Sequence, residues 1–108
     1  MRNGLYSAEF GTQLGQGTGV VVVQDGIIRG GDSLMVYRGA YHTEGDEVTG
    51  EVRVDRYANI PGMQSVFGRD LVNITVRGRV NGDQVDLTGS AKEVPQAQFR
   101  ARLKRIGD

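Results

Sequence analysis

Apolar and polar residues alternate along most of this chain, which is the period-two pattern of half-buried β-strands. The pattern is clearest in residues 47–58, where Val48, Gly50, Val52 and Val54 share one face and polar side chains share the other. A strand with this pattern places one face on a core and the other in water. We therefore predict an antiparallel sheet rather than a set of helices.

The same pattern, together with β-branched runs, predicts about eight short strands. They cover residues 4–10, 20–23, 27–29, 34–42, 47–58, 70–80, 84–89 and 98–106. Hairpin turns are predicted at Asp25-Gly26, at Glu44-Gly45-Asp46 and at Asn81-Gly82-Asp83. Residues 11–17 are predicted to form a glycine-rich loop and residues 92–96 a loop containing Pro95. Residues 59–69 are the longest connection, with at most one short helical turn.

A meander of short strands hides its edges either by closing into a barrel or by stacking as a sandwich. Gly39, Gly50 and Gly78 are predicted to face inward, where they would let strands bend, and this favours closure. We predict a single all-β domain over residues 1–108, an antiparallel up-and-down barrel of about eight strands. The periodicity also allows a sandwich.

Composition narrows the class of protein further. The chain has 108 residues, of which 38% are hydrophobic and 24% charged, as expected of one folded domain. It has no cysteine, which excludes disulfides, thiolate metal sites and a cysteine nucleophile. The N-terminus does not resemble a signal peptide, and no apolar run is long enough to span a bilayer. We therefore expect a soluble, cytoplasmic protein with no membrane partner.

The formal net charge is zero, which is unlike the basic excess of dedicated nucleic-acid binders. Charge is nevertheless uneven, because residues 92–105 carry five basic side chains against Glu93 alone. Arg100, Arg102 and Lys104 are predicted to form a basic outer face on the last strand. Such a face could contact phosphate or an acidic protein, but it more often protects an edge strand from aggregation.

No set of residues predicts catalysis or metal binding. The run from Gly15 to Gly19 resembles part of a dinucleotide fingerprint, but four valines follow where a helix would have to begin. His42, with Glu44 and Asp46, is a poor ligand set for a transition metal. We expect a non-enzymatic protein without a metal or cofactor.

Several short motifs resemble the GrlR-type negative regulators of type III secretion genes. They are Asn3-Gly4-Leu5-Tyr6, then Gly30-Gly31-Asp32, and Val36-Tyr37 followed by Gly39. The resemblance is clearest over residues 3–57, where the motifs agree in order and spacing. It implies a lipocalin-like barrel that forms homodimers, has no enzymatic activity and regulates by protein–protein contact with a transcriptional activator.

The resemblance also implies a partner-contact site. The founding regulator of the family carries an exposed loop of four consecutive carboxylates, which by position falls on Glu44, Gly45, Asp46 and Glu47. Gly45 departs from that pattern, and Glu-Gly-Asp is also a good hairpin turn. Partner contact by Glu44, Asp46 and Glu47 and a purely structural turn therefore both remain open.

A second hypothesis places the function inside the barrel. Phe10, Tyr37 and Tyr41 are predicted to face inward and could line an apolar pocket. An eight-stranded barrel has just enough interior to be filled by its side chains or to hold one small ligand. The alternative function is therefore that of a lipocalin-like carrier or sensor of a small hydrophobic molecule.

Overall fold

The computed structural model describes all residues 1–108 and contains strands but no helix. Its strands all follow one another in hairpin fashion, as the alternating pattern predicts. Their bounds are β1 Gly4–Thr12, β2 Gly15–Gln24, β3 Ile27–Gly31, β4 Met35–Glu44, β5 Glu47–Arg56, β6 Leu71–Asn81, β7 Gln84–Ala91 and β8 Val94–Gly107.

The eight strands form a closed antiparallel barrel in which each strand pairs with its neighbour in sequence and β8 pairs with β1. The closing pair runs from Leu5 opposite Gly107 to Gly11 opposite Arg100, with a bulge after Leu5. The predicted up-and-down barrel is thus confirmed, and the sandwich is excluded.

Two predicted loops were wrong. The glycine-rich loop at residues 11–17 does not exist, because β1 and β2 continue to Thr12 and from Gly15 around a turn of Gln13 and Leu14. Residues 94–96, predicted as part of a loop, already belong to β8. The connection before β6 has only turns and bends, without the helical turn that had been allowed there.

The up-and-down topology gives the barrel two different ends. We call one the hairpin end, because it carries the tight turns at residues 25–26, 45–46 and 82–83 and both chain termini. The other, the mouth end, carries the connections at residues 13–14, 32–34 and 92–93 and the long connection at residues 57–70. We call this long connection the mouth segment.

Deeply buried core residues lie at both ends of the barrel, with Val72 near the mouth end. Tyr6, Val23, Val48 and Val85 are almost fully buried towards the hairpin end. Gly39 and Gly78 face inward where a side chain would collide with the backbone of Glu51 and Asp86 on the neighbouring strands. The neighbouring backbone therefore approaches these two glycines closely. No helix of the structure could cross a membrane.

Candidate functional site

A cavity of about 330 Å³ lies inside the barrel and extends to the mouth end. Its wall is mainly apolar and draws on inward-facing residues of all the strands. They include Ala8, Val21, Ile28, Val52, Val54, Val72, Ile74, Val76, Leu87, Ala101 and Leu103. Small-molecule sites in proteins are usually concave, mostly apolar and of this size or larger.

Aromatic rings border the cavity on the side of β1. The ring of Phe10 meets that of Tyr37 edge to face, with centroids 5.9 Å apart, and lies nearly parallel to that of Phe99 at 6.4 Å. Phe99 in turn stacks on Phe67 of the mouth segment at 5.5 Å. These rings form a continuous chain from the barrel wall to the segment that covers the mouth.

Two glycines of β2 make room for this aromatic group. A Cβ atom at Gly17 would lie 2.8 Å from Cε1 of Phe10, and one at Gly19 would lie 2.7 Å from the hydroxyl oxygen of Tyr37. Both distances are too short for a real side chain. The glycine-rich sequence that looked like a loop is therefore a strand whose inner face is covered by aromatic rings from β1 and β4.

Polar groups are confined to the rim of the cavity. They are Gln16, Thr18, Asp32, Ser33, Gln64 and Ser65. Gln16 and Thr18 belong to the first half of β2, which pairs with β1 but has no partner on its other side, because β3 pairs only with Val20–Gln24. The cavity thus reaches the surface beside this free edge.

Asp32 organises the connection between β3 and β4. Its Oδ1 accepts hydrogen bonds from the backbone N–H of Leu34 at 2.8 Å and of Met35 at 2.7 Å. Its Oδ2 accepts one from the hydroxyl of Tyr37, and its carbonyl oxygen accepts one from the hydroxyl of Tyr57. Asp side chains commonly bind the backbone of a turn in this way.

The surroundings of Tyr37 keep its phenol protonated to higher pH than that of an ordinary tyrosine. Burial raises the pKa of its phenol well above the usual value, and the hydrogen bond to the Asp32 carboxylate raises that pKa further. The phenol therefore acts as a hydrogen-bond donor at the rim of the cavity, and its ring supplies apolar wall.

The mouth segment is attached to the barrel by its inner side. Phe67 is buried, and the hydroxyl of Thr12, the one buried polar residue, donates a hydrogen bond to the carbonyl oxygen of Val66. At the end of the segment the Arg56 guanidinium binds the Asp70 carboxylate at 2.6 Å. Met63, Gln64 and Ser65 thereby reach the cavity and form part of its cover.

The three residues predicted to line a pocket lie at two different heights in the barrel. Phe10 and Tyr37 both line the cavity. Tyr41 also packs against the core, but it lies opposite Gly50, nearer the hairpin end, and is not part of the cavity wall. Phe67 and Phe99, which sequence reasoning did not assign to the site, complete its aromatic side.

The predicted acidic turn lies at the hairpin end, opposite the cavity. Glu44 pairs with Glu47 across a two-residue turn, and Gly45 has a φ of +61° that favours glycine there. This backbone requirement explains why Gly45 interrupts the acidic run. Glu44 and Asp46 are exposed and their carboxylates contact no cation, whereas a carboxylate oxygen of Glu47 lies 3.7 Å from a guanidinium nitrogen of Arg79.

The predicted basic face of β8 is partly neutralised by its neighbours. Glu47, Arg79, Asp86, Arg102 and Glu9 lie side by side on β5, β6, β7, β8 and β1, so that charges alternate around the outside of the barrel. Arg102 donates a hydrogen bond to Asp86 at 2.8 Å, which lowers the pKa of the Asp86 carboxyl. Charge compensation within the barrel is thus the evident role of Arg102.

No protein-family model and no curated protein sequence matches this chain.

Proposed function

We propose that this protein binds one small, predominantly apolar molecule in the cavity of its barrel, as a carrier or sensor. The observation that supports the proposal is the cavity of about 330 Å³, with its apolar wall, aromatic side and polar rim. Side chains could have filled an eight-stranded barrel completely. Here they leave part of the interior open, and small residues such as Ala8 and Ala101 border this space.

The arrangement suits an elongated ligand with one polar end. Its apolar part would lie among Ile74, Val76 and Phe99, where each buried CH₂ group contributes about 0.8 kcal/mol. The polar end would remain at the rim, where Gln16, Ser33 and other polar groups are within reach of water. Entry would occur between the free edge of β2 and the mouth segment.

The direct experiment is native mass spectrometry of the purified protein, followed by thermal unfolding with a panel of apolar and aromatic compounds. We expect a mass adduct or a rise in Tm that saturates with ligand concentration. Ala101→Met should fill the cavity and abolish the effect. Ala40→Met, at an exposed position on the outer face, is the matched control. Absence of any adduct and any Tm shift in the unmodified protein would reject the proposal.

The acidic turn supports a second candidate, a regulatory protein–protein contact like that implied by the GrlR-type resemblance. The specific observation is that Glu44 and Asp46 are exposed without an intramolecular partner for their carboxylates. Such a pair at the tip of a hairpin could contact a basic surface of a transcriptional activator, or of another protein, at little cost in desolvation.

This second candidate is tested by charge reversal. Replacing Glu44 and Asp46 by lysine should weaken co-purification with an activator encoded beside this gene, and should leave the Tm and ligand binding unchanged. Replacing Glu47 alone should matter less, because Arg79 already engages it. Unchanged co-purification of the double variant would reject the contact. The homodimer stays a prediction, which sedimentation of the purified protein would decide.

A further inference from the structure

The wall of the cavity contains one carboxylate and no basic side chain. Among all the lining residues there is no lysine, arginine, histidine or glutamate, and Asp32 is the one acidic side chain. A site for an anionic molecule such as a fatty acid would need a cation or several free N–H donors near the head group. The wall of this cavity has no cationic side chain and carries a carboxylate instead.

Asp32 is held at the rim by its own hydrogen bonds. Leu34 and Met35 bind one carboxylate oxygen, and Tyr37 binds the other. A carboxylate has about four acceptor positions, so roughly one position on Oδ2 remains for another donor. Because the turn holds the side chain through three bonds, Asp32 cannot swing away from the rim when a ligand enters without breaking them.

Two basic residues of the mouth end, Arg56 and Arg69, are already engaged. Arg56 lies on β5 opposite Met35, but its guanidinium binds the Asp70 carboxylate at 2.6 Å and the carbonyl oxygen of Ala58 at 3.2 Å. Arg69 contacts the carbonyl oxygen of Glu93. Neither residue lines the cavity, and no other basic side chain does. An anionic head group beside Asp32 would therefore find no counterion in the cavity wall.

We propose that the cavity selects apolar molecules whose head group donates a hydrogen bond and carries no negative charge, namely long-chain alcohols and amines, and discriminates against the corresponding acids. The selection arises from Asp32, which accepts a hydrogen bond from a hydroxyl or ammonium group and repels a carboxylate. This inference rests on the proposed ligand-binding function and specifies its ligand class.

The experiment compares three ligands with the same alkyl chain: decanol, decylamine and decanoate, by calorimetric titration at neutral pH. We expect decanol and decylamine to bind at least about tenfold more tightly than decanoate, because a like charge at the rim is poorly screened there. Asp32→Asn should narrow the ratio to within about threefold. Glu51→Gln, on the exposed outer face of β5, is the matched carboxylate-to-amide control and should leave the ratio unchanged.

A second variant keeps the inference testable if Asp32→Asn does not fold. Ser33 is exposed at the rim, and Ser33→Lys adds a cation there without disturbing the Asp32 hydrogen bonds. This variant should bind decanoate about tenfold more tightly than the unmodified protein does. Equal affinity of the unmodified protein for decanoate and decanol, or an unchanged ratio in both variants, would overturn the inference alone. Failure of all three ligands to bind would overturn the ligand-binding proposal with it.

Discussion

Phe10 on β1 lies directly opposite Gly17 on β2, and its ring occupies the space that a side chain at Gly17 would need. This relationship fixes both the position of the ring and the identity of the glycine. It also determines the volume of the cavity, because Phe10 contacts Tyr37 and Phe99 and cannot move aside without displacing one of them.

Gly17→Ala is therefore expected to push the Phe10 ring into the cavity. Overpacking of this kind costs about 1–3 kcal/mol of unfolding free energy, and the smaller cavity should bind apolar compounds more weakly. Denaturant unfolding and ligand titration of the variant would measure both effects. Gly15→Ala is the control, since a Cβ atom there meets nothing within 4 Å. That variant should be neutral or stabilised by up to about 1 kcal/mol. Equal behaviour of the two variants would contradict the packing role of Phe10.

Thr12→Val should loosen the mouth segment. The substitution keeps the shape of the side chain but removes the hydroxyl that donates to the carbonyl oxygen of Val66 and accepts from the N–H of Leu14. The loss is expected to be about 1–3 kcal/mol, because buried groups are left unpaired. Hydrogen exchange at Phe67 and Gly68 should accelerate, and bound ligand should dissociate faster. Thr88→Val on the exposed face of β7 should change neither rate.

Asp55 should contribute acid-sensitive stability. Arg53 and Arg38 lie opposite each other on β5 and β4, and both guanidinium groups bind Oδ2 of Asp55, at 3.0 and 2.9 Å. These hydrogen bonds lower the pKa of Asp55 below its ordinary 3.8. A lowered pKa means that this stability is complete above about pH 4 and is lost as the pH falls through the folded-state pKa.

Asp55→Asn should therefore lower the free energy of unfolding at pH 7. On acidification the variant should then lose less stability than the unmodified protein does. The effect is at most about 1 kcal/mol, because both arginine side chains are solvated. Urea unfolding at neutral and acidic pH would measure the difference. Glu51→Gln, which removes a carboxylate that is in no ion pair, should leave the acid dependence as it is. A full acid dependence in Asp55→Asn would contradict the assignment.

Tyr37→Phe should make the protein less stable at neutral pH and less sensitive to alkali. Removing the hydroxyl takes a donor from Asp32, which costs about 1.5–3 kcal/mol for a bond to a charged group. The raised pKa of Tyr37 favours the protonated phenol in the folded state. In the unfolded chain the phenol ionises near its ordinary 10.0, so stability present below this pH is lost above it. Unfolding curves recorded below and above pH 10 would show whether the variant loses less stability at alkaline pH than the unmodified protein does.

The sequence predicted the barrel because its signal is local. Period-two alternation and hairpin turns specify each strand and its connection to the next, and an up-and-down barrel is built almost entirely from such connections. The first hairpin was misread for the opposite reason. Gly15, Gly17 and Gly19 carry no hydrophobic signal of their own, and at Gly17 and Gly19 the inner face of the strand is covered by aromatic rings from β1 and β4.

The site was predicted only in part, because alternation gives the face of a residue and not its height along the barrel axis. Phe10, Tyr37 and Tyr41 share the inner face, yet the first two border the cavity and Tyr41 does not. The height follows from the stagger between paired strands, which becomes apparent only once the register is known. The alternating pattern could not identify Phe67 as part of the site, because this residue lies in an irregular connection and is buried by contacts with β8.

The closure of the barrel through β1 and β8 has a consequence for how the chain folds. Seven of the eight strand pairings join strands that are adjacent in sequence, whereas the pairing of β1 with β8 joins residues as distant as Leu5 and Gly107. Nearly the whole chain must be ordered before β1 and β8 can meet. Closure is therefore the step that costs the most conformational entropy. Until then both strands are open edges, which invite pairing with other chains. Arg100, Arg102 and Lys104, spaced along the last strand to form, would keep that edge in solution until β1 covers it.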